Sequence, residues 1–199
     1  MSPNQDTCPA LTEMEQAMIN WVGRAFGIPE NFLFQDSPES SQGGGTVTES
    51  ASDAIFCAVL AARQWKINQV VEEQHRTGGM KYDTIHDIAK RLVVYCSRDA
   101  HSCIEKACKL AMLRCRPIQP KEENQWGITG EEIEEQIKKD INRELIPCFI
   151  DCTLGTIPTA SCDKLTSIWP VAKKYGLWLH VDAAYAGSTF IDPKNREVA

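Results

Sequence analysis

The chain has 199 residues, of which 43% are hydrophobic and 24% are charged, and its formal net charge is -6. This composition is that of a globular domain, and the scattered basic residues form no patch for nucleic acid or an anionic membrane. No apolar run could span a bilayer and the N-terminus lacks a secretory pattern, so the expected location is cytoplasmic. The nine cysteines lack the paired spacing of a zinc site, which predicts free thiols and no metal.

The first part of the chain is predicted to be helical, with one long loop. Residues 10–26 place their apolar side chains on one helical stripe. A loop over 36–45, rich in Ser and Gly, precedes a helix over 50–65 that has Ser50 or Ser52 as its candidate N-cap. Residues 66–82 are polar and are predicted to form a helix end and an exposed loop.

In the remainder of the chain, predicted strands alternate with helices. Strands are predicted over 92–96, 146–152 and 177–181, helices over 83–92, 100–113 and 163–175, a further helix opened by a capping box at 129–132, and a connecting segment over 116–126. This alternation is typical of an α/β fold with a parallel sheet covered by helices on both faces. Ligands of such sheets bind beyond the carboxyl ends of the strands.

Polar residues follow each predicted strand or begin a helix. Three glycines at 43–45 lead into the serines at 50–52, a combination of free backbone N–H groups and hydroxyls that suits a phosphate. His101, Thr153 and Asp182 follow the three strands in turn. Taken singly, the glycine–serine segment, His101 and Thr153 are better explained as helix-cap, turn and loop residues. Asp182 favours a site, because burying a carboxylate at the end of a strand is costly without a partner. A cationic ring nitrogen is one such partner, and a lysine, an arginine or an N-cap role is the alternative.

Together these segments resemble the group II decarboxylases that depend on pyridoxal phosphate (PLP), and most closely the aromatic-L-amino-acid decarboxylases. The motifs that carry the resemblance are Gly43–Gly45, Ser50–Ser52, Asp99–Ser102, Thr153–Thr156 and His180–Gly187. The similarity runs from about Ser2 to Pro193. It implies a fold-type-I PLP-dependent transferase-like large domain, incomplete over residues 1–199, with an N-terminal segment and a C-terminal small domain outside the chain.

The resemblance also implies roles for individual residues. Those implied to bind the cofactor are Ser50, Ala51, Ser52, His101, Thr153, Asp182 and Ala184. Among them, the serine turn holds the phosphate, Thr153 lines the pocket and Ala184 lies against one ring face. His101, which stacks on the ring, and Asp182, which pairs with the pyridinium nitrogen, are the candidate catalytic residues.

Two features depart from the family pattern. Glu49 places a carboxylate beside the phosphate turn, where relatives have a small residue. The lysine that holds the cofactor covalently is expected beyond Ala199. Lys173 and Lys174 fall on a predicted solvated helix and Lys194 in a polar loop, so none of these three is a candidate.

The implied activity of the full-length protein is decarboxylation of an aromatic L-amino acid to its amine and CO2 by a homodimer. DOPA, 5-hydroxytryptophan, tyrosine and histidine are the implied substrates. The alternative is a catalytically inactive fragment or paralogue that acts as a binding or dimerisation partner. A glutamate decarboxylase-like enzyme ranks below both.

Overall fold

The computed structural model describes residues 7–35, 43–79 and 81–198, and the chain divides into two compact units. The smaller unit comprises Met1–Glu49 and Thr189–Glu197, and the larger contains Ser50–Ser188. Most of the loop predicted over 36–45 lies outside the described residues.

The smaller unit is organised by helix α1, which spans Pro9–Ala25 and confirms the predicted first helix. Asn20 fixes the segment that follows it, because its side chain donates to the carbonyl of Phe34 and accepts from the same residue's N–H, both at 2.9 Å. Glu15 accepts a hydrogen bond from the backbone N–H of Val47 at 2.8 Å. This hydrogen bond fixes the segment that follows the three glycines at 43–45 against α1.

The larger unit is built on a parallel sheet, as the sequence predicts. Its strands are β1 (Leu92–Ser97), β2 (Arg114–Ile118), β3 (Ile146–Thr153) and β4 (Trp178–Asp182), in the order β2-β1-β3-β4. Its helices are α2 (Ala51–Thr77), α3 (Ile85–Ala89), α4 (Ser102–Leu110), α5 (Gly130–Ile141) and α6 (Leu165–Tyr175). Short 3-10 helices, which are not confined to the larger unit, span Glu30–Phe32, Glu122–Asn124, Gly187–Ile191 and Pro193–Val198.

Helices cover both faces of this sheet. Buried residues of α2, α3 and α4, such as Val59 and Ile104, form one core with Val94 of β1. Buried residues of α5 and α6, such as Ile133 and Ile168, form a second core on the opposite face. Because successive strand residues alternate between faces, the β3 residues at 149, 151 and 153 share the face that α2 and α4 cover.

Helix α2 is longer than predicted. It continues to Thr77, whereas the sequence predicts a helix end near Trp65 and a loop beyond it. Lys66 and Ile67 are buried in the folded chain, and the ammonium group of Lys66 donates to the carbonyl of Gly176. This contact with a distant segment stabilises polar turns that look like a helix end in the sequence.

Strand β2 replaces part of the segment predicted to be a connection. Its sequence contains two arginines and Pro117, so it shows no apolar run. Among the described residues it pairs only with β1, and an edge strand can tolerate both a proline and half-exposed side chains. The sheet therefore has one strand more than the sequence predicts.

All nine cysteines are free thiols. Within residues 7–35, 43–79 and 81–198, no helix combines the length and apolar character needed to cross a membrane. The same described ranges place no group of three or more His, Cys, Asp or Glu side chains so as to hold a metal ion.

Candidate cofactor site

The carboxyl ends of β3 and β4 and the start of α2 border a cavity of about 280 Å³. This volume is close to the lower end of the range of about 300–1,000 Å³ for small-molecule sites. The lining includes six of the seven residues predicted to bind a cofactor, namely Ala51, Ser52, His101, Thr153, Asp182 and Ala184. The structure thus brings together residues that are up to about 130 positions apart in the sequence.

Ser50 is the predicted residue that does not line the cavity. It is the N-cap of α2, where its hydroxyl accepts from the N–H of Asp53 at 3.2 Å and donates to that residue's carboxylate at 2.7 Å. Ala51 and Ser52 form the first turn, at the end of the helix where unpaired N–H groups favour an anion. Glu49, the departure from the family pattern, is exposed.

Asp182 and Thr153 form the polar floor of the cavity. Asp182 is 8% exposed, and its Oδ1 accepts from the N–H of Ala184 at 3.0 Å. No residue that the structure describes donates to its Oδ2. The hydroxyl of Thr153 is buried and has no hydrogen-bond partner among the described residues. These are the groups of the site that remain available to a polar ligand.

Asp163 holds the end of β3 in place, a function that the sequence analysis missed. Its two carboxylate oxygens accept from the N–H of Thr153 at 2.7 Å and from the N–H of Ile128 at 3.0 Å. Burial raises the pKa of Asp163 to about 6, against the lowering effect of those two hydrogen bonds. In the sequence, Asp163 is only the first residue of a predicted helix. No sequence pattern distinguishes its role at the end of β3 from that of an ordinary helix cap.

His101 has two structural relationships at once. As the N-cap of α4, it accepts the N–H of Cys103 on Nδ1 at 3.2 Å. A neutral imidazole in this arrangement carries its proton on Nε2. The same ring lines the cavity that contains Asp182, so the capping interpretation and the binding interpretation are compatible.

Gly155 allows the turn after β3 to approach the segment after β4. Its φ is +89°, and a Cβ built there would lie 2.7 Å from the ring of Tyr185. Both residues line the cavity. A side chain at position 155 would therefore push two walls of the site apart.

The three lysines considered in the sequence do not line the cavity. Lys173 and Lys174 are exposed on α6, and the ammonium group of Lys174 lies 2.6 Å from the carboxylate of Glu134. Lys194 is exposed in the smaller unit.

Comparisons with known proteins identify relatives of this chain. The model of the pyridoxal-dependent decarboxylase conserved domain matches residues 4–199. An aromatic-L-amino-acid decarboxylase of Manduca sexta is 39% identical over 188 residues, which cover 94% of this chain and 35% of the relative. A histidine decarboxylase of Drosophila melanogaster is also 39% identical over 188 residues, with 94% and 21% covered.

Solved structures give the same result. The tryptophan decarboxylase of Catharanthus roseus, crystallised with L-tryptophan, superposes with a TM-score of 0.84 and 30% identity over 98% of this chain and 38% of that protein. The chain thus spans 21% to 38% of the length of these three proteins. Because the family model covers nearly all of the chain, this protein belongs to the pyridoxal-dependent decarboxylases, a family that uses PLP.

Proposed function

We propose that the protein binds PLP in the cavity floored by Asp182 and Thr153, and that the whole protein removes CO2 from an aromatic L-amino acid. The observation that carries the proposal is the convergence of Asp182, Thr153, His101 and the first turn of α2 on one cavity. The identity of 39% to an aromatic-L-amino-acid decarboxylase supports the substrate class.

The lining residues fit the chemical groups of PLP. Ser52 and the N-terminal N–H groups of α2 suit the phosphate. The Oδ2 atom of Asp182, to which no described residue donates, suits a pyridinium N–H. The unpartnered hydroxyl of Thr153 suits a polar ring substituent. His101 and Ala184 offer a flat ring and a small side chain to the two faces of the cofactor.

When bound, PLP withdraws electrons from the substrate carbon that loses CO2. Asp182 keeps a proton on the ring nitrogen, because a nearby carboxylate favours the cationic form of that nitrogen. His101 restricts the tilt of the ring, since its own orientation is fixed by the hydrogen bond to the N–H of Cys103. The start of α2 would hold the phosphate and so restrict how the rest of the cofactor can move.

The proposal extends to assembly and location. Residues 1–199 would form part of the PLP-binding large domain of a cytoplasmic homodimer. Helix α1 exposes Met14, Met18 and Trp21 at 56%, 47% and 64%. An apolar stripe of this kind is often covered by another subunit, which supports the dimer.

The test combines a binding titration with a product assay. Absorbance of PLP is followed as the whole protein, rather than residues 1–199 alone, is added, and CO2 release is measured with DOPA, tyrosine, histidine and L-glutamate. Saturable binding with CO2 release from an aromatic acid is expected. Binding without any release would favour the inactive partner, and release from L-glutamate alone would contradict the aromatic class.

A further inference from the structure

Asp151 is a buried carboxyl group in the middle of β3 for which the proposed mechanism has no use. Its side chain is 0% exposed, and neither of its oxygens has a hydrogen-bond partner among the described residues. Other buried aspartates do have donors: Arg116 for Asp140, and backbone N–H groups for Asp163. An ionised carboxylate without a donor or a counter-ion is very unfavourable in a protein interior.

The position of Asp151 connects it to the cavity floor. Asp151 and Thr153 lie on the same face of β3, and their register partners on β4 are His180 and Asp182. Asp151 is therefore a diagonal neighbour of Asp182 on the adjacent strand. Two carboxyl groups so placed cannot both ionise easily, because each negative charge disfavours the other.

Among the residues that the structure describes, no lysine or arginine is found to act on the charge of Asp151. The carboxyls of Asp182 and Asp163 and the thiol of Cys115 act on the charge of Asp151. Its charge in turn acts on the thiols of Cys96, Cys103, Cys108 and Cys152. Its register partner His180 stacks on Phe149, and burial lowers the pKa of the imidazole, which favours its neutral form. Burial, followed by the charges of Asp182 and Asp163, raises the pKa of Asp151 well above its usual value.

We propose that Asp151 and Asp182 form a coupled pair of carboxyl groups that holds one negative charge under the cavity, with Asp151 as the protonated member. Asp151 is then a positioning residue that acts through Asp182 and does not touch the ligand. The link to PLP rests on the proposed function. A pyridinium paired with Asp182 offsets that charge, so the O–H bond of Asp151 breaks more readily and its proton passes to water.

The first test needs no cofactor. Aspartate carboxyl carbons labelled with 13C are titrated by NMR in wild type, Asp151→Asn and Asp182→Asn. One signal, absent from Asp151→Asn, is expected to titrate well above the ordinary value of about 3.9 and to move down in Asp182→Asn. If Asp151→Asn does not fold, the assigned Asp151 signal in the other two proteins decides. An ordinary midpoint, or one unmoved by Asp182→Asn, would overturn the proposal.

The second test measures PLP affinity against pH. Because binding favours the ionised form of Asp151, wild-type affinity should rise with pH relative to Asp151→Asn, by up to about tenfold per pH unit across the transition. The exposed carboxylate of Asp192 supplies the control, and Asp192→Asn should follow wild type. A constant ratio between wild type and Asp151→Asn overturns the link to PLP. Absence of PLP binding in every variant overturns the proposed function, while the NMR titration still decides whether the carboxyl pair exists.

Discussion

Thr153 and Asp182 are register partners at the ends of two adjacent parallel strands, and both face one cavity. Each is held by a backbone hydrogen bond: the N–H of Thr153 donates to Asp163, and Asp182 accepts from the N–H of Ala184. The polar floor of the site is thus set by the sheet and its two following turns. Groups held in this way are already arranged for a ligand before it binds.

Replacing Asp182 by Asn should weaken PLP binding by at least about tenfold, which corresponds to about 1.4 kcal/mol. The amide oxygen can still accept from the N–H of Ala184, so the turn should persist, but the negative charge opposite the ring nitrogen is lost. Absorbance titration with PLP measures the change.

The matched control is Asp192→Asn. Asp192 accepts the N–H of Lys194 at 3.1 Å in the same two-residue arrangement, and it is exposed in the smaller unit. Its variant should bind PLP as wild type does. Equal affinities for the two variants would show that the charge at position 182 has no special relationship to the ligand.

A pair of substitutions at His101 separates its capping role from its ring contact. Asn retains an N-cap acceptor for the N–H of Cys103, whereas Ala removes it and should cost about 1 kcal/mol of stability. Both variants lose the aromatic face, so both should bind PLP about two- to tenfold more weakly. Urea denaturation and PLP titration are measured on each. If His101→Asn bound PLP with wild-type affinity, His101 would act only as the N-cap of α4 and would make no contact with the ring.

Gly155→Ala should destabilise the larger unit by about 2–4 kcal/mol. The left-handed backbone accounts for about 1–2 kcal/mol, and the contact with Tyr185 adds a steric cost. Gly78 is the control, since its φ is +67° and a Cβ there meets nothing within 4 Å. Urea denaturation should show a clearly smaller loss for Gly78→Ala. Similar losses of unfolding free energy in the two variants would mean that the turn after β3 shifts to accommodate the added methyl group without a steric cost.

The sequence identifies residues that converge on one cavity more accurately than it gives the bounds of the elements around them. Apolar strands that end abruptly on Thr153 and Asp182 locate one edge of a parallel sheet without any structural information. The half-exposed edge strand β2 is not predicted, because its residues show no apolar pattern and its position depends on pairing with β1. The length of α2 is not predicted either, because it depends on the contact between Lys66 and Gly176, which are 110 residues apart.

Two polar residues have structural relationships that the sequence does not show. Ser50 is part of the predicted phosphate turn, and its hydroxyl also caps helix α2 through hydrogen bonds with Asp53. Asp151 lies in a strand that the sequence predicts correctly. Its lack of a donor, however, is a property of the neighbours that β4 and α4 bring to it, and no local pattern records them.

Asp163 should make stability depend on pH. Its pKa is raised to about 6 from 3.8, so the folded state holds this proton more tightly than the unfolded state does. The stabilisation is complete below about pH 3.8 and is lost as the pH rises through about 6, a change on the order of 3 kcal/mol.

Urea denaturation of wild type and Asp163→Asn between pH 4 and pH 7 tests this expectation. The free energy of unfolding of wild type minus that of the variant should fall as the pH rises. A difference that stays constant over this range would show that Asp163 ionises normally in the folded protein.

A crystal structure of the protein with PLP bound is the decisive test of the pairing between Asp182 and the cofactor. The ring nitrogen should lie within hydrogen-bond distance, about 2.7–3.2 Å, of a carboxylate oxygen of Asp182, with the phosphate at the first turn of α2. A cofactor seated elsewhere, or a ring nitrogen turned away from Asp182, would contradict it.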